Sequence, residues 1–298
     1  MTRPFPPDVI VLDTDGVLHV RVQRGRNAME ITNVKSYRLA EGTFGSSVVT
    51  PELANESALS DVLRRLRVEA GKLERVSLLL PDAWFRINLI DLPSLPDRQE
   101  AALDVVRWSL KRTLPIAPET LRVAYEILGK SGDGVKLLVI SALEKTLAAI
   151  EQLFAAAGME VVLIEPVGLN IWNAITLREP STTNDRLFVY VRDTDFTTAV
   201  FRGSQPLFIR SRNLNAERTI SQEIRLSATY LRDALQAVSV ERCYLAGNVS
   251  GADVQNVLAA EFSAPVIPVA LRDFTGSVPA HVSGLDAELT ACTGVFAG

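Results

Sequence analysis

Two carboxylates two residues apart, at the end of an apolar run, are the most chemically suggestive feature of the sequence: Asp13-Thr14-Asp15-Gly16 follows residues 9–12. At that spacing two carboxylates at a strand end can share a magnesium ion and a phosphate. The structural reading of the same string is a turn, because Asp-Gly between two strands is a strong hairpin signal. The tripeptide recurs as Asp193-Thr194-Asp195, and Gly247-Asn248 closes a later apolar run. Glycine in such a loop lets backbone N–H groups approach a phosphate. The other reactive residue types offer less. Cys243 and Cys292 lie in apolar settings and read as small buried hydrophobes. His19 and His281 have no Cys, Asp or Glu at metal-ligand spacing, so no metal site is expected.

These residues need strands and helices to place them. Residues 9–12, 17–23 and 28–39 read as three strands, turning at Asp15-Gly16 and at 24–27. Residues 57–73 read as a helix burying Leu59, Val62, Leu63, Leu66, Ala70 and Leu73. Strands at 76–80 and 84–91 flank Pro81-Asp82. A helix follows, with a capping box at Asp97 and Glu100, the face Leu103, Val106, Leu110 and Leu114, and a stop at Pro115. Strands at 121–128 and 135–141 lead to a helix at 144–157 ended by Gly158, a buried strand at 161–164 and a short helix at 167–176. The polar segment 178–185 is the best internal boundary. Beyond it lie strands at 187–192, 197–202 and 207–213, and a helix at 216–235. A strand at 242–246, a helix at 253–261 and a strand at 265–269 follow. A last helix carries Leu285, Leu289, Cys292 and Phe296. Alternating strands and helices give the α/β class. Trp84, Trp108 and Trp172 sit on or beside apolar faces and are expected in the core, while Arg202, Arg210, Arg212 and Arg218 are expected to form a solvated face.

The chain repeats itself. Both halves read strand, Asp-Thr-Asp, strand, Arg-Gly, strand, the Arg-Gly falling at Arg24-Gly25 and at Arg202-Gly203. Composition supports one or two well-packed domains: 298 residues, 47% hydrophobic, net charge -4. So small a charge makes nucleic acid an unexpected partner. The N-terminus lacks the apolar stretch of a signal peptide, and no apolar run reaches bilayer length, so membrane association is expected only through a partner.

Residues 9–18 resemble the first motif of the haloacid dehalogenase superfamily, which would make Asp13 the phosphoryl acceptor and Asp15 the acid and base. Ser141 and Lys145 offer its second-strand residues, but no late acidic pair follows. A second resemblance covers nearly the whole chain. Val76-Ser77-Leu78-Leu79-Leu80-Pro81-Asp82, Val106-Arg107-Trp108, Leu114-Pro115-Ile116, Tyr125-Glu126-Ile127-Leu128 and Ala155-Ala156-Ala157-Gly158-Met159 are each similar to segments of the PilM family of type IV pilus assembly. So are Leu163-Ile164-Glu165-Pro166, Phe201-Arg202-Gly203, Phe208-Ile209-Arg210 and Cys243-Tyr244-Leu245-Ala246-Gly247, in the same order.

That resemblance implies an actin-like fold, ribonuclease H-like and duplicated, with two lobes and an inserted small α/β subdomain. Residues 1–48 and 159–180 with the C-terminal helix 284–298 would form the first lobe, 49–158 the insertion, and 181–283 the second lobe. It also implies a cytoplasmic protein, peripheral at the inner membrane. Such a protein binds the N-terminal peptide of a PilN-like membrane protein and meets other platform proteins of a pilus or type II secretion-like machine, with homo-oligomers as an option. An ATP cleft would fall at Asp13, Thr14, Asp15, Gly16, Asp193, Thr194, Asp195, Gly247 and Asn248. The family's phosphate loop reads Asp-x-Gly, whereas Asp15 stands at the glycine position here with Gly16 one place late. The second loop falls on Tyr190-Val191-Arg192 counted from Arg202-Gly203, or on Asp193-Thr194-Asp195 by the internal repeat; neither contains Gly. The third site keeps only Gly247, with Gly251 further on. The expectation is therefore a scaffold with a degenerate nucleotide site, no catalytic residue, no resident metal and no bound cofactor. The alternative is an ATP- and magnesium-binding ATPase in which Asp13 faces Asp193 or Asp195. The third reading is the phosphatase.

Overall fold

The structure is a computed structural model that describes the chain apart from residues 1–4, 27, 46, 48–50, 112–113, 115, 132–133, 180–182, 215–218, 236–238, 248–251, 277–278, 280–283 and 298. β1 (Asp8–Leu12), β2 (Gly16–Arg24) and β3 (Met29–Arg38) form an antiparallel meander. β1 lies mid-sheet, covered on both faces, which is why all five of its residues are buried. α1 (Glu56–Ala70) starts where the Asn55 side chain accepts the Ala58 N–H, and buries Leu59, Leu63 and Leu66. β4 (Arg75–Leu80) then runs parallel to β1.

After a 3-10 turn at Asp82–Trp84 the chain leaves this sheet. β5 (Phe85–Leu92), α2 (Gln99–Leu110), β6 (Leu121–Ser131) and β7 (Gly134–Leu143) build a separate sheet in the order β5-β7-β6. α3 (Glu144–Ala156) ends at Gly158, whose φ of 78° is a left-handed stop, and β8 (Glu160–Pro166) returns beside β4. The first sheet thus reads β3-β2-β1-β4-β8. α4 (Val167–Arg178) follows at once. β9 (Asp185–Val191), β10 (Asp195–Arg202), β11 (Gln205–Asn213), α5 (Ile220–Leu235), β12 (Val240–Gly247), α6 (Ala252–Phe262) and β13 (Val266–Pro268) repeat the plan, as β11-β10-β9-β12-β13. α7 (Asp286–Gly294) packs beside α4 between the two sheets. Trp172 of α4 stacks on Phe201 with ring centroids 4.0 Å apart. Two lobes of one topology therefore share a central helical layer, and the three-stranded sheet is inserted in the first.

The duplication has a register set by backbone hydrogen bonds. Asp13 N–H donates to the Gly16 carbonyl, and Arg192 N–H to that of Asp195. The Asp15 carbonyl accepts from Leu39, and the Thr194 carbonyl from Leu214. Leu12 pairs with Val17 as Val191 pairs with Phe196. Arg192 is therefore the twin of Asp13, and Thr194 of Asp15. The two Asp-Thr-Asp strings are offset by one residue, so neither sequence-based placement of the second loop, 190–192 or 193–195, is the structural one.

Other expectations also shift. Asp15-Gly16 is not the centre of its turn; Thr14 and Asp15 are, and Gly16 opens β2. Asp97 lies one place too early to cap α2, whose N-cap position is Arg98, with no side-chain cap bond. α2 stops at Leu110, and Pro115 falls outside the described residues. Trp84 and Trp172 are buried, but Trp108 is 66% exposed, because α2 buries the face of Ala102, Val106 and Leu110 and Trp108 points away from it. β8 is half-buried, as an edge strand should be. Arg210 does not simply join a solvated face, since it donates to the buried Glu223 carboxylate at 2.9 Å. Arg218 lies outside the described residues.

Candidate functional site

The β1–β2 and β9–β10 turns approach one another across a cleft of about 640 Å³, with the start of α7 as its third wall. Strand ends are natural places for such a site, because a rigid sheet presents a short turn whose backbone is already satisfied. Asp13, Thr14, Asp15 and Gly16 line one side, Asp193 and Thr194 the other, and Gly247 the end of β12. Asp195 does not line the cleft; its side chain is 2% exposed and sits behind the second turn. Asn248 lies outside the described residues. Gly247 is required by backbone geometry: its φ is 95°, and a Cβ there would drive into the Val191 carbonyl.

Arg192 is the residue whose role motif reading missed, since it entered there only as the last residue of one placement of the second loop. Its Nη2 donates to Asp13 Oδ2, from one lobe to the other, and its Nη1 donates to Asp195 Oδ2 at 3.3 Å. Asp13 Oδ1 accepts the Thr14 N–H at 2.6 Å, and Asp195 Oδ2 also accepts the Thr194 hydroxyl at 2.8 Å. Burial alone would lower the pKa of Arg192, but the charges of Asp13 and Asp195 outweigh it and hold the guanidinium above its ordinary value. Burial raises the Asp195 carboxyl against the pull of Arg192. Burial likewise raises Glu288, one turn into α7 on the cleft wall. The signal that could have found Arg192 was alignment of the two hairpins by their flanking apolar strands rather than by the shared tripeptide.

The cleft wall carries five carboxylates, Asp13, Asp15, Asp193, Asp286 and Glu288, against two guanidiniums, Arg38 and Arg192, among the described residues. Such a wall repels a polyphosphate unless cations accompany it. Ser141 and Lys145 do not line it. Ser141 is buried in β7, and Lys145 is 90% exposed beside Glu52.

A second buried carboxylate stands at the root of the insertion. Asp82 is fully buried, and its Oδ1 accepts the Gly168 N–H at 2.7 Å in the first turn of α4. Its Oδ2 accepts the Thr197 hydroxyl of β10 at 2.7 Å. One side chain thereby ties the end of β4, the N-terminus of α4 and the second lobe. Burial pushes Asp82 up to about 6, with Asp195 adding to the rise and the two hydrogen bonds and Arg192 opposing it. The sequence shows only a Pro-Asp turn here, because both partners lie far along the chain.

No family model and no curated protein sequence matches the chain. Solved structures do. The chain is similar to one in a PilM-PilN type IV pilus biogenesis complex, at 17% identity and TM-score 0.77, over 98% of both chains. It is similar to a Bacteroides thetaiotaomicron protein with an actin-like ATPase fold, at 15% identity and TM-score 0.53, over 95% of this chain and 94% of that one. The fold is actin-like. The cytoplasmic domain of EpsL, an inner-membrane component of the Vibrio cholerae type II secretion system, is a third likeness. It has 11% identity and TM-score 0.50, over 85% of this chain and 93% of that one. The actin-like frame places the inter-lobe cleft between the paired hairpin turns, and this chain has an acid–base pair there.

Proposed function

We propose that this chain is a PilM-like assembly component of a type IV pilus or type II secretion-like platform at the cytoplasmic face of the inner membrane. In this role it docks the N-terminal peptide of a PilN-like membrane protein as a scaffold, without turning over a nucleotide. The observation that carries the reading is the end-to-end likeness to the chain of the PilM-PilN complex, which takes in the inserted sheet as well as both lobes. The likeness to EpsL supports the same setting. Among the described residues no helix is long and apolar enough to cross a membrane, so a membrane-anchored partner would supply the attachment. An extended peptide gains affinity from main-chain hydrogen bonds and side-chain pockets, and docking of that kind suits a sheet-bearing insertion. Further platform proteins and self-association are part of the proposal.

The cleft is read as a degenerate nucleotide site. Asp15 and its twin Thr194 stand where an Asp-x-Gly loop has glycine, and the carboxylate excess disfavours phosphate. Isothermal titration with peptides from the N-terminus of a PilN-like membrane protein encoded beside this chain tests the docking. Saturable binding is expected, and no binding to any such segment would sink it. The competing reading, an active ATPase, predicts a clear rise in melting temperature with ATP and magnesium; the scaffold reading predicts none.

A further inference from the structure

We infer that the chain carries its own latch across the inter-lobe cleft: Arg192 of the second lobe clasps Asp13 of the first and holds the lobes closed without a ligand. The inference does not depend on which partner docks. Asp13 and Arg192 are twin positions, each donating its N–H across the same turn, and the turns face one another. Two acids at these positions would repel; an acid and a base attract.

The pair is built to open as well as close. Arg192 is anchored from its own lobe by Asp195, which is in turn held by the Thr194 hydroxyl. If Asp13 withdraws, the guanidinium keeps a buried carboxylate and is not orphaned. Asp195 Oδ1 is buried with no hydrogen-bond partner, so it can accept the nitrogen that Asp13 releases and make the pair bidentate. Asp13, at 31% side-chain exposure, passes to solvent at little cost. Both states are therefore satisfied, and the bond between the lobes is the one that exchanges. The other titratable groups whose charges act on Arg192 are Tyr190 of β9, Glu288 of α7 and Asp82 at the root of the insertion.

The test is the inter-lobe distance, measured by pulsed electron spin resonance on the full chain. Spin labels go on Glu41→Cys in the first lobe and Thr229→Cys in the second; both native cysteines are buried. The unliganded protein should give a narrow distribution. Asp13→Asn and Arg192→Gln should each shift it to longer distances. The exchange Asp13→Arg with Arg192→Asp should return it toward the starting distance. Raising salt from about 0.1 M to about 1 M should lengthen the distance in the same direction but by less than the single substitutions do, because a part-buried contact pair is screened less than an exposed one. Asp13→Asn, nearly isosteric, decides the matter if the charge exchange fails to fold. A distribution identical to the parent's in Asp13→Asn, at both salt concentrations, would overturn the latch.

Discussion

Replacing Gly168 by Ala separates two physical effects of opposite sign. Gly168 is the second residue of α4, and helix propensity alone predicts that Ala there stabilises the protein by up to about 1 kcal/mol. The tertiary structure predicts the reverse. A Cβ at this position would lie 3.0 Å from Asp82 Cγ and 3.2 Å from its Oδ1, and closer still to Oδ2. The obstacle is a carboxylate enclosed on all sides, not the free end of a flexible chain. The methyl therefore displaces Asp82, breaking its bonds to the Gly168 N–H and the Thr197 hydroxyl. Hydrogen bonds to a charged group contribute about 1.5–3 kcal/mol each, and a buried donor left unpaired costs about 1–3 kcal/mol. Even after the propensity gain, a net loss of about 3 kcal/mol is expected. Urea denaturation of parent and variant measures it as a lower midpoint at unchanged slope. Asp82→Ala, which empties the space the methyl needs, should make the double variant far less unstable than the sum of the singles. A Gly168→Ala protein as stable as the parent, or more so, would refute the reasoning and reduce Gly168 to an ordinary helix residue.

Asp82 has a pH signature. Its folded value, about 6, lies above the ordinary 3.8, so the folded state binds the proton more tightly than the unfolded chain does. Stability from this group is full below 3.8 and is lost as pH rises through about 6. At about 1.4 kcal/mol per pH unit that is about 3 kcal/mol in all, and Asp82→Asn should flatten it in urea titrations between pH 4 and 7. Gly247→Ala should cost about 3 kcal/mol by thermal unfolding, since it combines a positive φ with a collision against the Val191 carbonyl. Trp84→Ala should cost about 3–5 kcal/mol, because Trp84 is buried against Phe44 with ring centroids 4.9 Å apart. Trp108→Ala should fall within about 0.5 kcal/mol of the parent in the same assay, its side chain being two-thirds in solvent. Any effect of Trp108→Ala on peptide binding would then report docking rather than folding.

The local periods of the chain were legible from residues alone. The apolar stripe of α1, the stop at Gly158 and the two triplets of strands follow from side-chain spacing and turn chemistry, whereas the alternation read in β2 is not an alternation of burial, since Val17, Leu18, His19 and Val20 are all buried. Most of the cleft's lining was legible too: Asp13, Thr14, Asp15, Gly16, Asp193, Thr194 and Gly247 come together where strand ends of the two sheets face one another. Trp108 misled because an aromatic at an amphipathic spacing is core only if that face of the helix has a neighbour.

What sequence by itself determined, then, was the class of the fold, its duplication and which turns line the cleft. Tertiary structure decided the register of the second turn, and with it that Arg192 rather than an aspartate opposes Asp13. It also decided that Asp82, one turn residue among several, is a buried tie between the end of β4, α4 and β10. The reason is the same in both cases. Identity of a tripeptide is a property of neighbours along the chain, whereas register is set by backbone bonds to a strand partner. An ion pair is likewise defined by groups that lie, for Asp13 and Arg192, 179 residues apart.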